Sequence, residues 1–411
     1  MAELITTPNG GLSVYGDNCV QGHTALIFDR GGRNRWRQLV DLTSVDWGRT
    51  RDTFREATIV VAGNSCREQA SILTGIQPRR HELVIWRGKE RVYEGPVLRV
   101  STFRDRAVIL ARDVGEYLNG TALSRDWPLE TGEPVSADSS LMTERVRTIL
   151  SYELTEPYTM TVGTGGAAHD VEVPRWEGLT PPANVLPHIE VRRSETLLTR
   201  SDTVAFEMTA GEHLANLSDG GLDFTTVGRK IVVWDSAETI GRTRVVTDAD
   251  FDGELEIIYE GTEHYSISHT SAQRDEEDEH TDPDEPAPSV GNAGGPNPYY
   301  GVWTNIKSLS SEDGSDTPTQ DALNSQAQRD QVGRTPVPID IRVPDGSTLR
   351  LSPTLGINEL VPGTTIPVRA EMNLRKVQQD QRLDSMTVTE TAQGETIKVS
   401  LSSWGNVEVV E

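Results

Sequence analysis

Side chains able to act as acids, bases or ligands are plentiful in this 411-residue chain, which has 63 Asp plus Glu and eight His. Their spacing matches no working site. His81-Glu82 opens like a zinc-binding helix motif but lacks the second histidine on a helical face. His264 and His269 are five apart on an expected strand and so lie on opposite faces. Gly63-Asn-Ser65-Cys66-Arg67 has a serine where a nucleophile elbow has one, but Arg67 replaces the closing glycine. Gly163-Thr-Gly-Gly166 carries no lysine and cannot be a Walker loop. Asp248-Ala-Asp-Phe-Asp252-Gly253 begins like a calcium loop, yet Tyr259 stands where the bidentate glutamate belongs. Cys19 and Cys66 are too few for a disulfide framework or a structural zinc site. Nucleophile, base and orienter never come together, so the expectation is no enzyme, no metal and no cofactor. Chance carboxylate pairs at glycosidase separation stay open.

One stretch mixes basic and aromatic residues, Arg30 to Arg37, with Arg33, Arg35, Trp36 and Arg37 as candidate interaction residues. Segments that bind RNA or single strands use this composition. A solvated hairpin tip or a partner contact fits better, because no second basic patch extends it. The formal charge of −24 also argues against gripping a nucleic-acid backbone. That charge is uneven: residues 1 to 112 hold 17 Lys plus Arg against 12 Asp plus Glu, net +5, leaving −29 for the rest. A basic head on an acidic body suits docking to an acidic neighbour.

The elements that carry these residues read as mainly β with some α. Glu56–Ala62 and Glu82–Arg87 are β-branched runs bounded by Gly63, Asn64 and Gly88, and each reads as a strand. Arg87-Gly88-Lys89 closes a hairpin; Val97–Val100 and Ala107–Ala111 add two strands, and Leu12–Tyr15 and Ala25–Phe28 two more. Short strands in close succession predict a small barrel or sandwich. Asp138–Leu150 has helical periodicity, with Leu141, Met142, Val146, Ile149 and Leu150 on one face. Gly163–Pro187 is irregular. Thr209-Ala-Gly-Glu212 is a capping box opening a short helix through Leu214 and Leu217, and Leu222–Val227 and Lys230–Trp234 form a hairpin across Gly228-Arg229.

Arg274 to Tyr300 reads as a linker: eight of the eleven residues from Asp275 to Glu285 are acidic, with no Lys or Arg. As a free coil it would span about 29 Å. Thr317-Pro318-Thr-Gln320 starts a helix to about Gln331 with a thin stripe of Ala322, Leu323 and Ala327, expected to lie on a barrel wall. Pro336–Val343 and Thr348–Leu351 are expected to pair as a hairpin across Pro344-Asp345-Gly346, and Arg382–Glu390 with Glu395–Leu401 as a terminal one. No run of 18 apolar residues occurs and the N-terminus has no signal-peptide pattern, so neither membrane insertion nor secretion is expected.

Three passages resemble one family. Trp47-Gly48-Arg49, Glu56-Ala57-Thr58, Cys66 and His81-Glu82-Leu83, with the hairpin ending Tyr93-Glu94-Gly95-Pro96-Val97, are similar to minor tail proteins of actinobacterial long-tailed (siphovirus) phages. The helix followed by Gly221-Leu-Asp-Phe224 and Val227-Gly-Arg229 agrees, as does the Leu360-Val-Pro-Gly363 turn feeding a strand. The resemblance implies a tail-tip or baseplate hub in the virion: a homotrimeric ring joining the tube end to the host-binding tip. Its partners would be the distal tail protein, the tape-measure protein and receptor-binding tail proteins. It implies a multidomain α+β chain: a barrel at 1–118, a helix-containing domain at 119–246, a second barrel at 247–376 interrupted at 274–300, and a hairpin region at 377–411. The alternatives are a receptor- or glycan-binding adhesin at the same tip, with Trp127, Trp176 and Trp303 as stacking platforms, and a cell-wall hydrolase.

Overall fold

The structure, a computed structural model, describes residues 20, 22–124, 142–173, 188–191, 208–219, 221–258, 265–272, 290–298, 301–309, 320–331, 340–344, 347–372 and 375–409. Leu12–Tyr15, Cys19, Trp127, Trp176, His264 and the acidic run 275–285 lie outside them.

The head begins with β1 (His23–Asp29), β2 (Arg35–Gln38), β3 (Leu42–Thr50) and β4 (Glu56–Ala62). Two short helices, α1 (Gly63–Glu68) and α2 (Ala70–Gly75), lead to β5 (His81–Arg87), β6 (Glu90–Thr102), β7 (Arg106–Arg112) and the one-turn α3 (Glu116–Asn119). Alternation dictates the packing. Ala57, Ile59 and Val61 of β4 lie opposite Ala111, Ile109 and Ala107 of β7, and all six are fully buried. Gly88 takes φ +57 in the β5–β6 turn, a conformation that favours glycine. The short Val97–Val100 strand foreseen from sequence is part of the continuous 13-residue β6.

The middle unit holds α4 (Met142–Thr155), the hairpin of β8 (Tyr158–Val162) and β9 (His169–Val173), β10 (His188–Val191), α5 (Ala210–Asp219), β11 (Leu222–Val227) and β12 (Lys230–Asp235). Val146, Ile149 and Leu150 turn the apolar face of α4 onto Leu214, Phe224 and Ile231, a core separate from that of the main sheet. The capping box is present: the Glu212 N–H donates to Thr209 Oγ1 at 3.1 Å and the Thr209 N–H to Glu212 Oε2 at 2.8 Å.

The remainder begins with β13 (Gly241–Arg242), β14 (Val246–Thr247), β15 (Phe251–Asp252) and β16 (Glu256–Ile258). Next come β17 (Ile267–Ala272), β18 (Val290–Gly294), β19 (Thr304–Leu309) and α6 (Gln320–Gln331). The chain then runs through β20 (Asp340–Arg342), β21 (Thr348–Leu349), β22 (Thr364–Met372), β23 (Arg375–Thr391) and β24 (Gly394–Val409). Two expectations are corrected. The proposed hairpin between 336 and 351 does not form: β20 pairs with β16, and β21 with β15 and β24. Part of the supposed linker is strand, because Val290–Gly294 pairs with β17 under α6.

One strand organises the whole. The first half of the 17-residue β23 pairs with β22 and its second half with β3, while β24 runs along its other side. A 14-stranded sheet results, ordered β15-β21-β24-β23-β3-β4-β7-β6-β5-β1-β2, with β22 and its partners branching off. One core extends from Val20 to Ile397 and includes Trp47, so head and C-terminal body share it. Fully burying each Val, Leu or Ile side chain of this core contributes about 1.5–3 kcal/mol. The sheet curls until His23 on β1 meets Glu390 on β23, but no ladder joins the ends. The closed barrels expected from sequence are therefore absent among the described residues. The thin stripe of α6, Leu323 and Ala327, packs on the open sheet β18-β17-β19 rather than on a barrel wall.

Candidate functional site

The basic stretch folds as the β1–β2 hairpin, and β2 is the last strand of the sheet. Gly31 and Gly32 turn the chain with φ +95 and +61; a Cβ on Gly32 would sit 2.5 Å from Arg91 Nη2 and 2.8 Å from Glu94 Oε2. Strand alternation then separates the candidate residues. Arg35 and Arg37 face solvent, as does Arg33 before them, while Trp36 turns inward. Its ring stacks on His81 at 4.7 Å with planes 6° apart and presses against Gly75. Burial and nearby Arg80 hold His81 below the usual histidine range, so it is neutral at pH 7. The interleaved pattern is thus an arginine edge fixed from beneath by a half-buried tryptophan, one ring face of which is taken by His81 while the Arg37 guanidinium lies 5.5 Å from its centroid.

Beneath the hairpin lie two carboxylates, Glu82 (0% exposed) and Glu94 (4%). Glu82 accepts from the Gly31 N–H at 2.9 Å, from the Tyr117 hydroxyl, and from Arg229 at 2.7 Å. Glu94 takes Arg91 and, at 3.3 Å, the same Arg229. Burial pushes Glu94 up, against the pull of Arg91 and Arg229. Burial and Glu82 also raise the Tyr117 phenol. Both Glu82 oxygens and Glu94 Oε2 face protein donors, so the pair acts as a clamp between the head and the β11–β12 turn.

A second seam surrounds the β3–β4 turn. Asp52, at φ +62, donates its N–H to the Phe224 carbonyl at 2.9 Å and accepts the Phe224 N–H at 3.1 Å. Arg51 bridges Asp223 and Asp384, both at 3.0 Å, and Arg382 reaches Asp223 at 3.4 Å. Burial and neighbouring Asp223 raise Asp52 to about 7. Asp113 accepts from the Arg55 and Gly115 amides and the Thr226 hydroxyl at 2.7–2.9 Å, and burial lifts it to about 6.

His23 and Glu390 make a histidine–carboxylate pair at 2.5 Å, the arrangement that activates a serine in hydrolases. Here the Trp47 indole N–H donates to His23 Nε2 at 3.0 Å, which occupies the position a nucleophile needs. A cleft of about 380 Å³ between middle unit and body is lined by Lys230, Arg242, Arg244 and Glu359 among others. Its cations are spent on Glu190, Asp380 and Asp250. Asp250 and Asp252, the would-be calcium ligands, face Arg244 and Arg350. No group of three or more His, Cys, Asp or Glu among the described residues is placed to hold a metal. No described helix is long and apolar enough to cross a membrane.

Sequence reasoning missed the seam residues Arg51, Asp52, Asp223, Arg229 and Arg382. The partners of Arg229 and Asp52, and Asp223 as partner of Arg51, are 135 to 172 positions away, so no local pattern marks them.

No protein-family profile matches the chain, and no curated protein does. Among solved structures, the 43 kDa tail protein of prophage MuSo2 from Shewanella oneidensis is similar over 92% of this chain and 98% of its own, with TM-score 0.51 and 13% identity. The tail protein from Neisseria meningitidis MC58 and prophage tail protein gp18 from Listeria monocytogenes EGD-e each score 0.48 at 10% identity over 92% of this chain, covering 96% and 94% of theirs. The chain has the fold of the first of these.

Proposed function

We propose that this chain is a structural component of a phage tail, of the tail-tip hub kind found in long-tailed phages of actinobacteria, where three copies close into a ring at the end of the tube. The observation that carries this reading is the likeness to the MuSo2 tail protein over nearly the full length of both chains. The division at 1–118, 119–246, 247–376 and 377–411 belongs to the proposal, with the first and third units alternating around the ring. Partners would be its own copies, the distal tail protein, the tape-measure protein and receptor-binding tail proteins, in the virion. The donor-saturated Glu82, a blocked His23 and ion-paired cleft cations support a mechanical role over a catalytic one. Mass photometry of the purified chain, alone and with the neighbouring tail protein, tests it: a threefold mass is expected, and a monomer in both conditions overturns it.

One observation favours a second reading, an adhesin at the same tip. Val302, Trp303 and Ile306 are 57%, 60% and 72% exposed at one edge of the β18-β17-β19 sheet. A glycan array separates the two, since a hub binds no sugar through Trp303.

A further inference from the structure

We propose that the arginine edge of β2 is a docking surface for the acidic run Asp275–Glu285 of a second copy of this chain. The edge is built for the task. β2 pairs only with β1, so one side of its backbone is open among the described residues. Arg35 and Arg37 stand on the same face of the strand, about 7 Å apart, and Arg33 extends the row. Arg33 and Arg37 meet no carboxylate among the described residues; Arg37 spends one N–H on the carbonyl of Trp36. The strand that carries the row is held in place, because Trp36 is stacked on His81 beneath it and the turn is tied to Glu82 through the Gly31 N–H and to Arg91 through the Gly32 carbonyl. A strand already held in place adds little backbone ordering cost on binding.

Charge and chain geometry select the occupant. The run Asp275–Glu285 has eight carboxylates and no Lys or Arg, and is the densest acidic stretch in the sequence. It belongs to the 17 residues 273–289 that join β17, ending at Ala272, to β18, starting at Val290. Its attachment is linked to the arginine edge of its own copy through two elements in series. The Lys230 end of β12 adjoins Arg229, which clamps the base of the basic hairpin, while Asp235 at the other end holds Arg329 near the C-terminus of α6. Gln320, at the opposite end of α6, touches the Val290 carbonyl where the acidic segment ends. The path between edge and root therefore follows the length of β12, about 17 Å, and then of α6, about 14 Å. In the ring reading such a run meets the edge of a neighbouring copy. The contact deepens the ring reading by naming a seam, and its test does not depend on ring formation.

The probe is a fluorescent peptide with the sequence of residues 275–285, titrated by anisotropy into the full chain with its own eight acidic residues in that run changed to Asn and Gln. Binding at 50 mM salt that weakens at 300 mM is expected. Exposed ion pairs are individually weak, but two together set an expected loss of about fivefold or more in the R33E/R37E background. The R99E/R104E background makes the same charge change on other exposed arginines and should keep wild-type binding. No binding, or equal loss in both backgrounds, overturns the proposal. In the R37K chain, zero-length carbodiimide cross-links between 37 and 275–285 should join isotopically distinct copies in a ¹⁴N/¹⁵N mixture. Links confined to single copies overturn the between-copy assignment. A threefold mass without peptide binding leaves the hub reading standing and removes this contact; peptide binding by a persistent monomer does the reverse.

Discussion

Replacing Arg229 with methionine is the sharpest perturbation of the clamp between head and middle unit. Its guanidinium is the shared partner of Glu82, fully buried, and Glu94, 4% exposed. Methionine keeps much of the side-chain volume but leaves two carboxylates with one cation, Arg91, between them. Removing one member of a buried pair costs about 3–5 kcal/mol, because the remaining charge stays desolvated. At about 2–4 °C per kcal/mol for units of this size, the thermal midpoint should drop by about 6–20 °C. Acidity should repair part of the loss. Without Arg229 the folded-state affinity of Glu94 for a proton, already raised by burial, rises further. A carboxyl with a raised folded pKa carries a penalty above that pKa that vanishes below the unfolded value of about 4.3. The gap between variant and wild type should therefore narrow as pH falls from 7.5 to 5. E82Q/R229M, which removes both charges, should recover at least half of the loss. Thermal denaturation of the three chains at both pH values reads all of this. A loss below about 1 kcal/mol, or a gap that does not change with pH, would refute the claim that Arg229 holds the two units together.

Asp52, raised to about 7, and Asp113, raised to about 6, are protonated more readily folded than unfolded. Their contribution to stability is therefore greatest near pH 4 and is lost as pH rises through about 6 to 7, and D52N should flatten that slope in thermal melts. Gly32→Ala meets both a positive φ and the Arg91–Glu94 pair, and should cost about 1–3 kcal/mol in denaturant titration. Thr209→Ala removes the hydroxyl that caps α5, and about 1 kcal/mol should be lost with the other contacts of the helix intact. Purified chain incubated with host peptidoglycan should release no muropeptides, and concentration-dependent release would overturn the structural reading.

What was legible in the sequence was local. Glu56–Ala62, the Gly88 turn, the Thr209 capping box and the terminal hairpin over Gly394 depend on neighbours within a few positions, and the structure has them. Val290–Gly294 was hidden because its strand character comes from its partners. Gly291 is needed where the α6 backbone approaches so closely that a Cβ would sit 2.1 Å from Leu323. The failed hairpin at 336–351 has the same origin, since turn residues at Pro344 promised a pairing that β16, β15 and β24 supplied instead. At the candidate site, composition found the arginines but not their direction. Only the edge position of β2 and the stack on His81 separate Trp36 from its neighbours. The charged seams join segments that are far apart in the chain, where periodicity carries no information.

The most direct test of the tail-hub account is a cryo-electron microscopy map of tails that carry this chain. Three copies around the axis at the distal end of the tube, each with the β23-centred sheet fitted into density, is the result the account predicts. One copy, six copies, or density along the tube or on a peripheral fibre would contradict it.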